Sequence, residues 1–438
     1  ILALQERPRI RMFVRRDPFD RYFSILVYMP RERLSTELRE RFSDLLCQAV
    51  NGRLSNYYTE VSQSPLARMH FILGINEGGA PDDLDLATGE ARLIAAARDW
   101  QDDFDDALVE HWGEEGGNRM ALRYGRAFPT SYTERYSAEF ALRDIEGIEA
   151  LVNSAGVGLN IYRMIEDADH VVRFKIYNPG QALPLSDCLP MMENMGLRVI
   201  GEEPFQISLS SDKTIWIHNF LLEEPGGEAI DLSAVKASFE AAFAKVWAGE
   251  IEDDGFNRLV LKAGLGGRQV VVLRALCKYL RQTGVAYSQD YMEDTLAANH
   301  RITGMIASLF EIRFDPAAAA DGRQARAEQL AADVIDGLEA VESLDEDRIL
   351  RRFLNLVQAA LRTNYFQIAE DGEPKSYLSI KFDSQAVEEL PLPRPFREIF
   401  VYSPRVEGVH LRGGKVARGG LGWSDRREDF RTEGLGLM

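Results

Sequence analysis

The residues best suited to chemistry lie near the C-terminus, in a segment rich in glycine and arginine. Positions 411–431 have the sequence LRGGKVARGGLGWSDRREDFR, which places Arg412, Lys415 and Arg418 among five glycines. Glycine allows the backbone to approach a ligand closely and to adopt positive φ. Arginine offers a planar fork of donors that matches a carboxylate or a phosphate. The pattern therefore predicts an anion-binding strand and turn.

The same segment has a plainer alternative. It does not end in Gly-Lys-Ser/Thr, so it is not a phosphate-binding P-loop. On spacing alone, a mobile basic loop without a ligand also explains the composition. Both interpretations stay open at this point.

The other motifs favour structural explanations. The segment Gly264-Leu-Gly-Gly lacks the third glycine of a dinucleotide fingerprint and precedes a helical pattern, so it predicts a loop and a helix start. The six histidines have no metal-ligand spacing among themselves or with cysteine. The acidic stretch 102–106 lacks the glycine and the closing glutamate of a calcium loop, which favours a solvated helix face. We expect no metal site.

Composition excludes several classes of protein. The 438 residues carry a formal charge of -18, which disfavours a nucleic-acid partner. The sequence has no apolar run of membrane-helix length and no signal-peptide pattern, so we expect no membrane association. Cys47, Cys188 and Cys277 are far apart among apolar neighbours, which is typical of reduced thiols in a cytoplasmic protein.

Both ends suggest a longer protein. The first residue is Ile1 rather than Met, and 431–438 has only begun a helical pattern. We expect the chain to be an internal piece.

The elements repeat in order. Residues 23–29 alternate as a strand, a helix follows with Ser35 at its start, 69–75 is a strand, and a long helix is predicted over 83–112. A second stretch has a strand at 172–177, a helix over 185–195 that Gly196 ends, a hairpin through 210–213 and a helix over 232–246. Each stretch predicts an antiparallel sheet with helices on one face and solvent on the other, so Arg173, Lys175 and Tyr177 should face outward.

The remainder is predicted to be mainly helical and then mixed. Helices are expected over 270–280, over 291–310 and after Ser343, which forms a capping box with Glu346. Strands are expected at 378–382 and 399–401. The predicted class is α+β, with ferredoxin-like ββαββα modules at 1–115 and 156–250. A helical linker at 116–155 separates them, and a helical region at 251–372 and the opening strands of an α/β domain at 373–438 follow.

Two segments carry a family resemblance. The run VEGVHLRGGKVARGGLGWSDRREDFRTE, residues 406–433, resembles the opening of the catalytic domain of the large NAD-specific glutamate dehydrogenases. The run RQVVVLRALCKYLRQTG, residues 268–284, resembles the helical region upstream of catalysis in that family. The two sheet modules resemble its ACT-type domains. The resemblance implies oxidative deamination of L-glutamate to 2-oxoglutarate and ammonium, with hydride transfer to NAD.

The resemblance also implies site residues. Arg418 matches a basic residue that grips a substrate carboxylate, and Gly419, Gly420 and Lys415 belong to the same substrate-binding segment. Three places depart from the pattern: Gly422 replaces an arginine, Gly434 replaces a larger aliphatic residue, and 266–267 are Gly-Gly where Ser-Trp is expected.

A loop in the second module is the remaining candidate. ACT-type modules bind small amino acids at a strand-to-helix loop, which here implies Asn178, Gly180 and Gln181 as effector-binding residues. The alternative is a plain turn, because Pro-Gly is a common turn pair. The catalytic lysine, the catalytic aspartate and the fold that binds NAD are expected beyond this chain. The chain alone is expected to be inactive, and a homo-oligomer is expected. The competing hypotheses are a non-catalytic amino-acid sensor and an oligomerisation module.

Overall fold

The computed structural model describes residues 9–62, 64–77, 79, 85–152, 156–209, 213–317, 320–414, 421–422 and 430–436. The chain divides into two compact units. Unit 1 comprises residues 1–125 and 130–142, and unit 2 comprises residues 126–129 and 143–438.

Unit 1 contains a four-stranded antiparallel sheet in the order β1-β2-β4-β3. Its elements in chain order are β1 (Arg11–Arg16), β2 (Tyr22–Pro30), α1 (Thr36–Val50), β3 (Gly52–Val61), β4 (Leu66–Ile75), α2 (Leu86–Ala96), α3 (Trp100–Tyr124) and α4 (Thr130–Thr133). The crossover through α1 leaves one strand position between β2 and β3, which β4 fills. This is the predicted ferredoxin-like plan, with its extra strand at the front.

Strand alternation and helix capping build this sheet as the sequence predicts. Alternate residues of β2 and β4, such as Ile25 and Phe71, are buried against Phe42 of α1. The Ser35 side chain accepts a hydrogen bond from the Leu38 amide at 3.0 Å, which caps α1.

The single helix predicted over 83–112 is wrong in its extent. The described chain forms α2 and α3 with a break at 97–99, where Asp99 caps α3 in a capping box with Asp102. An N-cap residue has extended backbone, so it interrupts the helical hydrogen bonds that a periodic apolar pattern suggests.

Unit 2 opens with the second module. Its sheet has the order β5-β6-β8-β7, again antiparallel. The elements are α5 (Ala138–Val152, which begins in unit 1), β5 (Gly158–Tyr162), β6 (Val171–Pro179), α6 (Leu185–Asn194), β7 (Arg198–Ser208), β8 (Thr214–Glu223) and α7 (Leu232–Trp247). Gly196 follows α6 with a φ of +89°, as its predicted C-terminal position requires.

The predicted solvent face of this sheet is wrong for two residues. Lys175 and Tyr177 are each 1% exposed, because α5 covers that face of the sheet. Gly147 of α5 permits the close approach: a Cβ there would lie 2.9 Å from the Tyr177 ring. Sequence alternation identifies two faces of a strand but not whether another element covers the polar one.

The helical region follows. Its helices are α8 (Leu259–Lys262), α9 (Gly267–Gln282), α10 (Gln289–Ala298), α11 (His300–Phe314), α12 (Ala320–Leu338) and α13 (Leu344–Ala359). The single helix predicted over 291–310 is two, with Asn299 between them. Ser343 caps α13 by accepting from the Glu346 amide at 3.4 Å, which is one half of the predicted capping box. Gly266 precedes the first residue of α9, so 264–267 is a loop and helix start as predicted.

A third antiparallel sheet ends the described chain, in the order β13-β12-β11-β10-β9. Its elements are β9 (Ala360–Thr363), β10 (Leu378–Phe382), β11 (Arg397–Tyr402), β12 (Glu407–Arg412), β13 (Leu421–Gly422) and the helix α14 (Phe430–Gly436). One continuous core joins the second sheet, the helices and this C-terminal sheet. The predicted α+β class is confirmed. Among the described residues, no helix is both long and apolar enough to cross a membrane.

Candidate functional site

The C-terminal sheet places the segment that the sequence singles out. Its inner face packs on α9, where the Tyr279 ring stacks on Phe382 with centroids 4.5 Å apart. Leu378, Phe400 and Val409 on the same face are each no more than 2% exposed. Strand β12 therefore lies on a rigid, fully packed support.

A buried ion pair fixes the helix that follows the glycine-rich segment. The guanidinium of Arg431 in α14 donates from Nε and Nη2 to the carboxylate of Glu398 in β11, at 3.0 and 2.6 Å. Tyr279 of α9 donates its hydroxyl to the same carboxylate at 2.8 Å. Glu398 and Tyr279 are fully buried, and Arg431 is 1% exposed. Burial raises the pKa of Tyr279 well above its usual value, so its hydroxyl stays a donor.

The cluster joins three elements distant in sequence. The backbone amide of Arg431 also contacts the Gln282 side chain at 3.3 Å. Buried charges persist only when they are paired and hydrogen-bonded, and both carboxylate oxygens of Glu398 are satisfied here. The helix α14 is therefore fixed against β11 and α9. Sequence analysis missed the role of Arg431, since that residue entered it only as the end of the glycine- and arginine-rich segment and the start of a helical pattern.

The predicted substrate residues Lys415, Arg418, Gly419 and Gly420 lie outside the described residues. The flanking residues are described. Strand β12 ends at Arg412, and β13 pairs Gly422 with Val409.

The predicted effector loop joins β6 to α6. Asn178 donates its side-chain amide to the Gln181 carbonyl at 2.8 Å, and the Gly180 amide donates to the Thr214 carbonyl at 2.9 Å. Gly180 has a φ of +87°, where glycine is required, and a Cβ there would meet open space. The three predicted residues thus form one turn attached to β8, in which Gly180 and Gln181 are exposed and Asn178 is partly buried.

A buried histidine supports this loop, and sequence analysis did not connect the two. His218 is buried on β8, and its Nε2 accepts from the Leu183 amide at 3.0 Å. Its Nδ1 lies 2.7 Å from a carboxylate oxygen of Glu202. The imidazole thereby connects β7, β8 and the chain that follows the loop.

A second buried ion pair lies on the covered face of the same module. Lys175 of β6 lies 2.6 Å from both carboxylate oxygens of Asp144 in α5, and Tyr177 donates to one of them at 2.7 Å. All three are 1% exposed. The strand alternation gave no signal for this cluster, because the partner carboxylate comes from a helix outside the strand pattern.

A third cluster surrounds Arg274 of α9, which is fully buried. It donates to both carboxylate oxygens of Asp254 at 2.7 Å and to the Asn257 side chain at 2.8 Å. Glu293 lies nearby and is 5% exposed. Burial raises its pKa to about 7, and the neighbouring Asp254 charge adds to that shift.

Two of the positions that depart from the expected pattern are tightly packed. A Cβ at Gly434 would lie 3.3 Å from Leu411, and one at Gly267 would lie 2.9 Å from Ile251. A tryptophan at 267 would therefore require Ile251 to move. A Cβ at Gly266 would meet only the Gln269 side chain, at 3.8 Å.

The 264–267 turn does not have the setting of a dinucleotide fingerprint. The 264–267 turn follows a short helix, α8, whereas a pyrophosphate fingerprint follows a strand. Within the ranges that the structure describes, no three histidine, cysteine or acidic residues are placed to hold a metal.

Comparison with known families matches most of the chain. Residues 11–101 and 156–235 match the ACT2 and ACT3 domains of glutamate dehydrogenase. Residues 107–151 and 251–316 match its helical motifs 2 and 3. Residues 333–438 match the catalytic domain of bacterial NAD-glutamate dehydrogenase.

Curated relatives align with all of this chain. NAD-specific glutamate dehydrogenases are 46% identical in Halomonas elongata, 40% in Pseudomonas aeruginosa and 38% in Mycobacterium tuberculosis. The chain belongs to the large NAD-specific glutamate dehydrogenase family. It spans 27–28% of the length of these relatives. The resemblance expected from 406–433 and 268–284 is confirmed, and both segments lie within matched regions.

Proposed function

We propose that the whole protein oxidises L-glutamate with NAD and water to 2-oxoglutarate, ammonium and NADH. The observation that carries the proposal is the alignment of all 438 residues with proteins named for that activity. It is supported by the catalytic-domain match over 333–438, which includes the C-terminal sheet.

Within this function, the chain supplies part of a carboxylate grip. Arg418, with Gly419, Gly420 and Lys415, follows β12 after Arg412. A guanidinium can hold a carboxylate through two parallel hydrogen bonds, and flanking glycines leave room for the ligand. In the complete gene product, Arg418→Gln should raise KM for glutamate by about 10- to 100-fold, because a hydrogen bond to a charged group contributes about 1.5–3 kcal/mol.

The control is Arg405→Gln, which removes the same charge from an exposed turn between β11 and β12. It should leave KM unchanged. Equal effects from the two variants would reject the assignment of Arg418 and point to a general loss of positive charge.

We propose that the chain by itself turns over no glutamate. The family's lysine, aspartate and nucleotide fold are expected elsewhere in the protein, so NADH should not form when glutamate and NAD are added to the 438-residue chain. Absorbance of NADH over time measures this. If NADH forms and its formation requires both substrates, the proposal that the chain is inactive by itself is wrong.

We propose further that the β6–α6 loop binds a small amino-acid effector at Asn178, Gly180 and Gln181. Its open, exposed turn and positive-φ glycine support this. Calorimetric titration of the chain with the common amino acids should find a ligand, and Gly180→Ala should weaken it by straining the turn. Gly201→Ala is the matched control, since that glycine also faces open space but has no positive φ. Absence of any binding would reject the effector site.

A homo-oligomer is the assembly we propose. Strand β3 is an edge strand of ten residues, and nine of them are exposed. Long exposed edges are usually covered in the native assembly. Light scattering of the chain should give a discrete multiple of its 49.4 kDa mass. A monomer at all concentrations would argue against assembly through this chain.

A further inference from the structure

The outer face of the first sheet has a mainly apolar centre, although α1 and α2 pack on the opposite face. One row of directly opposed residues crosses all four strands, in the order Phe13, Leu26, His70 and Tyr58. The two end residues are 45% and 56% exposed, and the two central residues are partly buried. The outer face of an antiparallel sheet usually carries polar side chains. Here its centre is aromatic and aliphatic instead.

The rings of this row are held by their neighbours. Tyr28, on the same face of β2, makes an edge-to-face contact with Phe13, with ring centroids 5.8 Å apart. The Tyr58 ring lies 6.0 Å from the His70 ring, and Nε2 of His70 lies 2.8 Å from the Ser24 hydroxyl. The row is therefore ordered before any partner binds, which lowers the entropy cost of binding.

The second sheet contains the equivalent row. Leu26 and Lys175 are each the fifth residue of a nine-residue strand that ends in proline. The row through Lys175 is Asn160, Lys175, Asn219 and Glu203. That row is polar, yet α5 covers its centre, and Lys175 is buried against Asp144. Covering the apolar row of the first sheet would stabilise more simply, at about 25 cal/mol per Å² of apolar surface and without an ion pair.

The rim of the face allows two copies of the chain to meet without repulsion. At one end of the strands, Arg68 pairs with Glu60. At the other end, Arg15 and Asn56 are exposed on the two edge strands of the sheet. A two-fold axis parallel to the strands exchanges the edges, so Arg15 of one copy would lie over Asn56 of the other. The apolar row would then lie over its own reverse.

The size and composition of the face also suit such a contact. Four strands about 4.8 Å apart and the six residues of β1 span about 19 by 20 Å. The side chains that project from this area bring two such faces to about the 1,000 Å² that a specific interface requires. An aromatic centre with a polar rim is typical of protein–protein interfaces.

We propose that this face is a contact between two copies of the chain, packed sheet on sheet about a two-fold axis. Sheets packed in this way lie about 10 Å apart with their strands roughly aligned. The inference rests on the homo-oligomer proposed above and adds a second surface to the edge of β3.

Light scattering of the 438-residue chain tests the contact with variants that place a charge on the face. Phe13→Glu and Tyr58→Glu should each reduce the mass of the wild-type assembly by at least half. Burying an unpaired carboxylate should weaken the contact by about 100-fold or more. Both side chains are exposed, so the fold should persist, which circular dichroism checks. Tyr58→Phe keeps the ring and should assemble as wild type does.

Tyr57→Glu is the matched control. Tyr57 precedes Tyr58 on β3 and is 40% exposed, but it lies on the other face, where the Arg39 guanidinium is 4.4 Å from its ring centroid. This variant should leave the mass unchanged. If it dissociates the assembly as Tyr58→Glu does, the contact is the edge of β3 and not the face. If both face variants keep the wild-type mass, the face contact is refuted and the proposed assembly stands. A monomeric wild type refutes both.

Discussion

Two buried clusters of the same design offer a sharp test of how this chain stabilises its charges. In one, Asp144 accepts from Lys175 and Tyr177. In the other, Glu398 accepts from Arg431 and Tyr279. Each has one carboxylate, one cation and one tyrosine, all at most 1% exposed. They differ in the cation, and only lysine can lose its proton in the accessible pH range.

The perturbation is the isosteric pair Asp144→Asn and Glu398→Gln. Removing one partner of a buried ion pair costs about 3–5 kcal/mol, because the remaining charge stays in a poorly hydrated site. Arg431 must keep its charge, so Glu398→Gln should cost this amount at every pH. In Asp144→Asn, by contrast, Lys175 can lose its proton. The stability cost of that variant is therefore limited to the free energy of deprotonating the lysine.

The sign of the pH dependence follows from burial. Desolvation already holds the pKa of Lys175 below its usual 10.5, and the Asp144 charge opposes that shift. Without Asp144 the folded-state pKa falls further, so the unfolded state binds more protons and stability rises with pH toward 10.5. At about 1.36 kcal/mol per pH unit, the largest cost of a neutral Lys175 is about 5 kcal/mol at pH 7 and about 2 kcal/mol at pH 9.

Hydrogen–deuterium exchange of β6 and β11 measures the two local stabilities, each variant being compared with wild type at the same pH. At pH 7 both strands should exchange about a hundred- to several thousand-fold faster in their own variant. At pH 9 the acceleration should shrink for Asp144→Asn and persist for Glu398→Gln. If the two variants respond alike to pH, or if either costs under about 1 kcal/mol, the account of these clusters is wrong.

Three smaller predictions concern single positions. Gly434→Ala should stabilise α14 by about 0.5–1 kcal/mol, because the new methyl group displaces only the end of the Leu411 side chain. Slower hydrogen–deuterium exchange in 430–436 checks this, and faster exchange would mean that Leu411 cannot move. Ser35→Ala should cost about 1 kcal/mol in unfolding, with Ser35→Asp as the capping control that retains stability. Glu293 has a folded pKa of about 7, so wild type should lose up to about 3 kcal/mol relative to Glu293→Gln as pH rises from 4.5 to above 7; parallel pH profiles would refute this.

The fold could be predicted from the sequence wherever the spacing of apolar residues and a helix-capping residue indicate the same element. The alternation in β2 and the Ser35 cap of α1 predicted the first module, and Gly196 predicted the end of α6. The errors in helix extent came where an N-cap or a single intervening residue divides a periodic apolar run, as at Asp99 and Asn299. Both residues interrupt helices without changing the hydrophobic period.

The candidate sites likewise divide into those that adjacent residues identify and those that depend on tertiary structure. The loop at 178–181 was identified from adjacent residues, because turn chemistry is local. The glycine-rich segment was identified from composition and from a family resemblance, and its substrate residues remain a proposal. The cluster of Glu398, Arg431 and Tyr279 depends on tertiary packing, which unites positions that have no short-range pattern.

The sequence by itself determined the α+β class, most element types, the family and the segment in which chemistry was expected. Those features depend on interactions between residues a few positions apart, or on a long run of matching residues. Only the tertiary structure decided that Lys175 is buried and that Arg431 pairs with Glu398. A charge is buried or paired according to what packs against it. Those partners lie about 30 residues or more away in the chain, beyond the reach of any local pattern.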